Sequence, residues 1–247
     1  MSSESHQKMK YALVTGGSGE IGQAICQRLA NDGHHVIVHA NQNPVKAQTL
    51  ARQITEQGGS AQAIQFDITD FAQTSGILTE LTQNHPIQIL VHNAGIHQDA
   101  PLAGMSKQQW DDVVNVSLHG FFNVTQPIML PMMKTRWGRV IAVSSIAGIT
   151  GNRGQANYAA AKSGLIGACK SLSIELASRG ITANVVAPGI IKTALSEESF
   201  PSEKINQMVP MQRAGEVSEV ASLVSFLASD EAAYISGQVI SINGGMI

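Results

Sequence analysis

The chain has 247 residues, enough for one large α/β domain or two small ones and for a substantial core either way. Its 16 basic and 18 acidic residues leave a formal net charge of −2, spread without long runs of one sign, which argues against nucleic acid or another polyanion as the main partner. The two cysteines, Cys26 and Cys169, lie far apart without the spacing of a metal site or a disulfide framework and are expected in the core.

Met1 to Lys10 is polar and lacks an apolar h-region, so it is expected to be a flexible N-terminal segment rather than a signal peptide or an anchor. No stretch reaches the roughly 18 consecutive apolar residues of a membrane span, and a cytoplasmic setting is expected. From Tyr11 onward short apolar runs alternate with longer amphipathic ones and the pattern never resets. It predicts a single domain over residues 11–247, an α/β, doubly wound (Rossmann-type) sheet of about seven parallel strands with helices on both faces. The predicted strands are Tyr11–Thr15, His35–Ala40, Ala61–Phe66, Ile87–Asn93, Val140–Ser145, Thr182–Ala187 and Val239–Ile242, rich in Val, Ile or Ala as burial on both faces requires. Between the first two, Ile21, Ile25 and Leu29 recur at helical spacing and Gly33 marks the stop. Lys192–Arg213 is the least regular region, with Pro201, Pro210 and the polar run Ser196–Ser199, and reads as a mobile flap with short helices.

The first strand runs into Thr15-Gly16-Gly17-Ser18-Gly19-Glu20-Ile21-Gly22, which opens the first helix. Glycines there let backbone approach a pyrophosphate, which the helix N-terminus favours electrostatically. After the second strand comes His39-Ala40-Asn41-Gln42-Asn43, without the acid that would accept from the ribose hydroxyls of NAD(H); only Lys46 lies close as a cation. NADP(H) is therefore the expected cofactor. Further along, Tyr158 and Lys162 are one helical turn apart in a segment, Asn157–Leu176, that reads as helix, and Ser145 ends the fifth predicted strand. A phenol tuned by a lysine, with a hydroxyl to hold the substrate oxygen, is a proton donor and acceptor suited to interconverting a carbonyl and an alcohol.

These stretches resemble the short-chain dehydrogenase/reductase family over nearly the whole chain, from Tyr11 to Ile247. The turn is similar to its TGxxxGxG fingerprint, Asp67-Ile68 to the pair that brackets adenine, His92-Asn93-Ala94-Gly95 to NNAG, and Pro188-Gly189-Ile190-Ile191-Lys192-Thr193 to PGxIxT. The resemblance implies cofactor contacts from Gly16, Ser18, Gly19, Ile21, Gly22, Asn41, Asp67, Ile68, Asn93, Ala94, Gly95, Tyr158, Lys162, Pro188, Gly189, Ile191 and Thr193. It implies catalysis by Ser145, Tyr158 and Lys162, with Ser117 standing where the family usually carries an asparagine that holds a relay water. Glu20 also departs from the pattern, which has glycine or alanine there; its carboxylate is expected to turn outward or to weaken cofactor binding. Gly151–Tyr158, Ala177–Thr182 and Ile235–Met246 most resemble the 3-oxoacyl-[acyl-carrier-protein] reductases. That likeness implies reduction of a carrier-bound 3-oxoacyl thioester, a homotetramer built largely by helices near Trp110–Lys134 and Asn157–Ser178, a substrate contact at Gln155, and carrier docking on Arg136 and Arg179 at the mouth of the site. His97, Gln98 and Asp99 are candidates for the pocket edge or ordinary surface residues. A dehydrogenase of another small ketone, alcohol or polyol is the alternative enzyme, and an NADP(H)-sensing protein without catalysis is a further one.

Overall fold

In the computed structural model, which describes residues 9–194, 196 and 201–247, one parallel sheet organises the chain. Its strands are β1 (Tyr11–Thr15), β2 (His35–Ala40), β3 (Ser60–Gln65), β4 (Ile87–His92), β5 (Gly138–Val143), β6 (Ile181–Pro188) and β7 (Val239–Ile242), in the order β3-β2-β1-β4-β5-β6-β7. The predicted doubly wound sheet of seven parallel strands is present, and β1, β2 and β7 have the predicted bounds. The others differ by one or two residues at their ends. β5 stops at Val143, because its ladder with β6 ends at Val143 opposite Val186 and the backbone then turns. Ser145 therefore lies in the turn after the strand instead of ending it.

The helices are α1 (Glu20–Asn31), α2 (Pro44–Glu56), α3 (Phe71–Asn84), α4 (Lys107–Val114), α5 (Gly120–Thr135), α6 (Ala147–Thr150), α7 (Ala156–Leu176), α8 (Ser202–Met208) and α9 (Val217–Ala228). Successive residues of a strand face opposite layers, so each layer takes alternate side chains. Ala12 and Val14 of β1 pack with Ile25 and Leu29 of α1, Leu50 and Ile54 of α2, and Val220, Val224 and Leu227 of α9. Leu13 faces the other way, onto a cluster with Leu78 of α3, Val124, Ile128 and Met132 of α5, and Leu165 and Cys169 of α7. Both faces are covered, which is why the strands read as continuous apolar runs. Cys26 and Cys169 are unpaired and buried, one in each layer.

Helix α1 stops as its sequence predicts, with Gly33 at φ +87 just past its C-cap. The helix expected over Trp110–Lys134 is not uniform. A π turn, Asn115–His119, separates α4 from α5 and inserts one extra residue, so the faces on either side are out of the register that 3.6-residue spacing assumes. Among the described residues the irregular Lys192–Arg213 region contains the short α8; Ser196 is described, while 197–199 of the polar run, and residues 1–8 of the expected N-terminal segment, lie outside the described residues. No helix among the described residues is long and apolar enough to cross a membrane. Between β1 and β4 the sheet order reverses: β2 and β3 extend to one side, β5 to β7 to the other. The crevice beyond the carboxyl ends of these two strands is where an open α/β sheet offers a binding site.

Candidate active site

The turn leaving β1 is shaped by close backbone approach. Gly16 has φ +64, and a Cβ on it would stand 2.9 Å from Ala94 Cα; a Cβ on Gly22 would stand 2.2 Å from Gly16 O. Neither position admits a side chain. The Gly19 amide donates to Gly16 O at 3.1 Å, and α1 starts at Glu20 without any side-chain cap, leaving first-turn amides available to an anion. Ser18 offers its carbonyl to Gln23 Nε2 at 2.7 Å, and Ile21 is half-buried against the first core layer. The Glu20 carboxylate is exposed and accepts from Ala194 N at 3.0 Å, tying the glycine turn to the segment that follows Thr193. It turns outward to a backbone partner across the crevice.

Farther along the crevice, Asn41 follows β2 and Asp67 follows β3. Partial burial acts to raise the Asp67 carboxyl, but hydrogen bonds from the Thr69 amide and hydroxyl and from Asn41 outweigh it and hold the group below its usual range. Asp67 does not cap α3; that role falls to Asp70, which accepts from Gln73 N. The Ile68 side chain is buried, and its carbonyl accepts from Asn123 Nδ2 at 2.8 Å. Asn93 spends its amide on the turn itself, donating to Thr15 O and Gly16 O at 3.3 and 3.1 Å. On the other bank, Pro188 ends β6, Gly189 N donates to Ile242 O, and Ile191 bridges to Gly215, which fixes the loop carrying Thr193. Thr193 and Ser196 bond each other through backbone and hydroxyl groups.

Ser145, Tyr158 and Lys162 converge at the carboxyl end of β5. Ser145 Oγ accepts from Ala147 N at 3.1 Å and lies near enough to the Tyr158 phenol to act on its proton affinity. Burial raises the phenol above its ordinary range, Ser145 opposes that shift and Asp99 adds to it. Lys162 is buried, donates to Val143 O at 2.8 Å, and is pushed down to about 8 by desolvation. Its Nζ stands 5.6 Å from the centre of the Tyr158 ring. The sequence reading has Lys162 tuning the phenol downward; in this structure burial dominates instead. Ser117 is fully buried in the π turn, and its hydroxyl has no hydrogen-bond partner. The same point beside Gly95, where a Cβ would sit, lies 3.0 Å from Lys162 Nζ and 3.4 Å from Ser117 Oγ, so the two groups border one small space.

Gln155 Nε2 donates to Asp99 Oδ2 at 2.8 Å and Ala100 N to Gly154 O at 2.8 Å, which zips the segment after Gly95 to the segment before α7. His97 pairs with Asp99 at 3.4 Å, and Gln98 donates to Asp112. Arg136 and Arg179 are brought together, Arg136 Nη2 donating to Ser178 O at 3.2 Å. They sit, however, at the amino ends of β5 and β6, whereas Ser145 and Tyr158 lie beyond the carboxyl ends. A six-residue strand separates the two places by roughly 20 Å. Within one chain the arginines do not flank the mouth of the site, contrary to the expectation, because both precede strands of a parallel sheet whereas the catalytic groups lie past the strands' carboxyl ends.

A family model described as enoyl-(acyl carrier protein) reductase matches residues 17–247. The chain is 42% identical over 236 residues to a 3-oxoacyl-[acyl-carrier-protein] reductase of Aggregatibacter actinomycetemcomitans, covering 95% of this chain and 98% of that protein. Proteins of the same name from Staphylococcus aureus and Escherichia coli are each 43% identical, over 96% of this chain and 98% and 97% of theirs. The chain belongs to the short-chain dehydrogenase/reductase family. Against that family's pattern, Glu20, His92 and Ser117 are departures, and the structure puts each of them at the edge of the crevice or beneath it.

Two buried histidines escaped the sequence reading as functional residues. His39 Nδ1 accepts from Gly16 N at 3.2 Å while Nε2 bonds Phe66 O at 2.9 Å; His92 Nδ1 bonds Thr15 Oγ1 at 3.2 Å and Nε2 bonds Ser117 O at 3.0 Å. The signal available was a histidine at or next to the end of each of two apolar strands flanking the glycine turn. Desolvation lowers His39 to about 4; desolvation, then the Lys162 charge, lowers His92 to about 3, both from an ordinary 6.5. An unfolded chain therefore binds protons that the folded one refuses. The stabilisation is complete above pH 6.5 and is lost as pH falls towards 4 and 3, on the order of 2 kcal/mol per histidine by pH 5. Denaturant unfolding at pH 8 and pH 5 should show this loss, and His39→Asn should make the dependence shallower; an unchanged midpoint between the two pH values would contradict it.

Proposed function

We propose that this protein is an NADPH-dependent 3-oxoacyl thioester reductase that converts a carrier-bound 3-oxoacyl group to the 3-hydroxyacyl group. The observation that carries the reading is the placing of the Ser145 and Tyr158 hydroxyls beyond the carboxyl end of β5, near enough for Ser145 to act on the phenol's proton affinity, with the buried Lys162 one turn farther along α7. Two hydroxyls converging on one point suit an oxygen that gains charge as a carbonyl becomes an alkoxide.

The glycine turn fits a dinucleotide: its Cβ-excluding positions and the uncapped start of α1 form a cradle for a pyrophosphate. When bound, the reduced nicotinamide supplies the hydride. The remaining tasks fall to side chains. Ser145 donates to the substrate oxygen, and Tyr158, kept a phenol by burial, gives its proton to the developing alkoxide. Lys162 holds a positive charge near the phenol and borders the space beside Gly95 with Ser117, through which the proton is replaced. Asn41, Asp67 and Ile68 line the adenosine end, Asn93, Ala94 and Gly95 the floor, and Pro188, Gly189, Ile191 and Thr193 the opposite bank. Gln155, tied to Asp99, edges the acyl channel.

The reading includes a homotetramer in the cytoplasm. Phe122 and Leu130 of α5 and Ile174 of α7 expose large apolar surfaces, 58%, 69% and 81% respectively, on the two longest helices. Carrier docking on Arg136 and Arg179 belongs to it only as an assembly property: a neighbouring copy has to bring its arginine pair to this chain's mouth.

NADPH should be oxidised with carrier-bound 3-oxoacyl thioesters and, more weakly, with acetoacetyl-CoA, and Tyr158→Phe should lower turnover on the order of a hundredfold or more while leaving cofactor affinity nearly intact. Turnover of free ketones or polyols alone would point to the alternative dehydrogenase, and a fully active Phe variant would sink the mechanism. Because no acid follows β2, NADPH should bind at least about tenfold more tightly than NADH, about 1.4 kcal/mol; equal or tighter NADH binding in a titration refutes this. Reversing Arg136 and Arg179 to Glu should raise KM for the carrier thioester severalfold, most at low salt, and barely affect acetoacetyl-CoA. Equal effects on both substrates would remove the docking role.

A further inference from the structure

His92 and Ser117 both stand where the family pattern has asparagine, and the two departures touch. The hydrogen bonds around His92 leave only one assignment of its proton. Thr15 Oγ1 already accepts from the amides of Asn93 and Ala94, both at 3.1 Å, so its remaining role toward His92 Nδ1 is to donate. Nδ1 is then the acceptor, and the ring proton sits on Nε2, facing Ser117 O, which can only accept. The ring is fully buried, with Phe121 edge-on at 5.4 Å, and desolvation keeps it neutral. The carbonyl it holds belongs to the residue at the middle of the π turn, whose hydroxyl is buried, unpaired and placed beside Gly95 next to the Lys162 ammonium.

We propose that His92 is a positioning residue for proton transfer: one imidazole grips the glycine turn through Thr15 and the π turn through the Ser117 carbonyl, and so holds the Ser117 hydroxyl against the space it shares with Lys162. This rests on the carbonyl-reductase reading above. Serine is the short partner of the pair and cannot reach for its place as a longer amide would; the backbone must deliver it. The imidazole is the group that fixes that backbone, and it does so from the strand that also carries Asn93, Ala94 and Gly95 into the cofactor crevice.

The variants separate the two arms. His92→Phe keeps the ring volume and removes both hydrogen bonds; His92→Gln returns a donor at about the reach of Nε2; His92→Asn keeps an acceptor for Thr15 but falls short of Ser117. The expected result is a kcat about tenfold lower for Phe and Asn, with KM for NADPH within about threefold of wild type, and recovery of most of the turnover by Gln. In a Ser117→Ala background, His92→Phe should cost less than about threefold more, because the hydroxyl it positions is already gone. Should the Phe variant fail to fold, the same cycle with Asn decides. Multiplying losses in the double variant, full kcat in the Phe or Asn variant, or Gln no better than Phe would each overturn the proposal. A readout independent of activity separates it from the functional reading: imidazole nitrogen resonances of the wild type should show His92 protonated at Nε2 and bare at Nδ1 at neutral pH. The opposite tautomer or a charged ring would overturn the positioning role even if the enzyme reduces 3-oxoacyl thioesters. With the expected tautomer but no turnover of any carbonyl substrate, the functional reading falls and the coupling of the two turns through His92 stands.

Discussion

The Thr15 hydroxyl accepts from the backbone amides of Asn93 and Ala94 and gives its own proton to His92, so the ends of β1 and β4 are held at one fixed separation at the point where the sheet order reverses. The glycine turn, the loop after β4 and, through the imidazole, the π turn all take their positions from this one buried hydroxyl. Asn93 adds two donors to the carbonyls of Thr15 and Gly16, and His39 supports the turn from the β2 side. Such a network is favourable only while every member has a partner, since an orphaned buried polar group costs more than a satisfied one returns. Both histidines must therefore be neutral for the crevice to keep its shape.

The catalytic side depends on a different compromise. Lys162 is buried where a full charge is disfavoured, with a backbone carbonyl as its named partner, and Tyr158 is buried where a phenolate is disfavoured. Each burial works against the charged form, so the two groups sit farther apart in proton affinity than lysine and tyrosine do in water, the lysine lowered to about 8 and the tyrosine raised, and the phenol holds its proton more tightly than the ammonium does. Burial keeps the proton on the phenol, where reduction needs it. Ser117 adds a buried, unpaired hydroxyl to the border of that small space.

Much of this was legible in the sequence because it is written in local pattern. Strand and helix periodicity follows from alternating burial, and it placed all seven strands to within two residues. The glycine turn, and the Tyr158–Lys162 spacing on one face of α7, are short-range features whose geometry is set by backbone stereochemistry within a turn or two. The absence of an acid after β2 is likewise local.

What tertiary structure alone decided are relations between segments distant in the chain. Whether Glu20 faces a phosphate or the Ala194 amide depends on where the loop after β6 lies, 174 residues on. That Arg136 and Arg179 come together is a tertiary fact, whereas their place at the end of the sheet away from Ser145 follows from their preceding parallel strands. The π turn adds a residue that no 3.6-residue repeat announces, and it gives Ser117 a carbonyl within reach of His92. Periodicity and spacing determined the sheet and the catalytic helix face; the partners of each buried polar group were decided by the fold, because hydrogen bonds close across the sheet while sequence pattern runs along it.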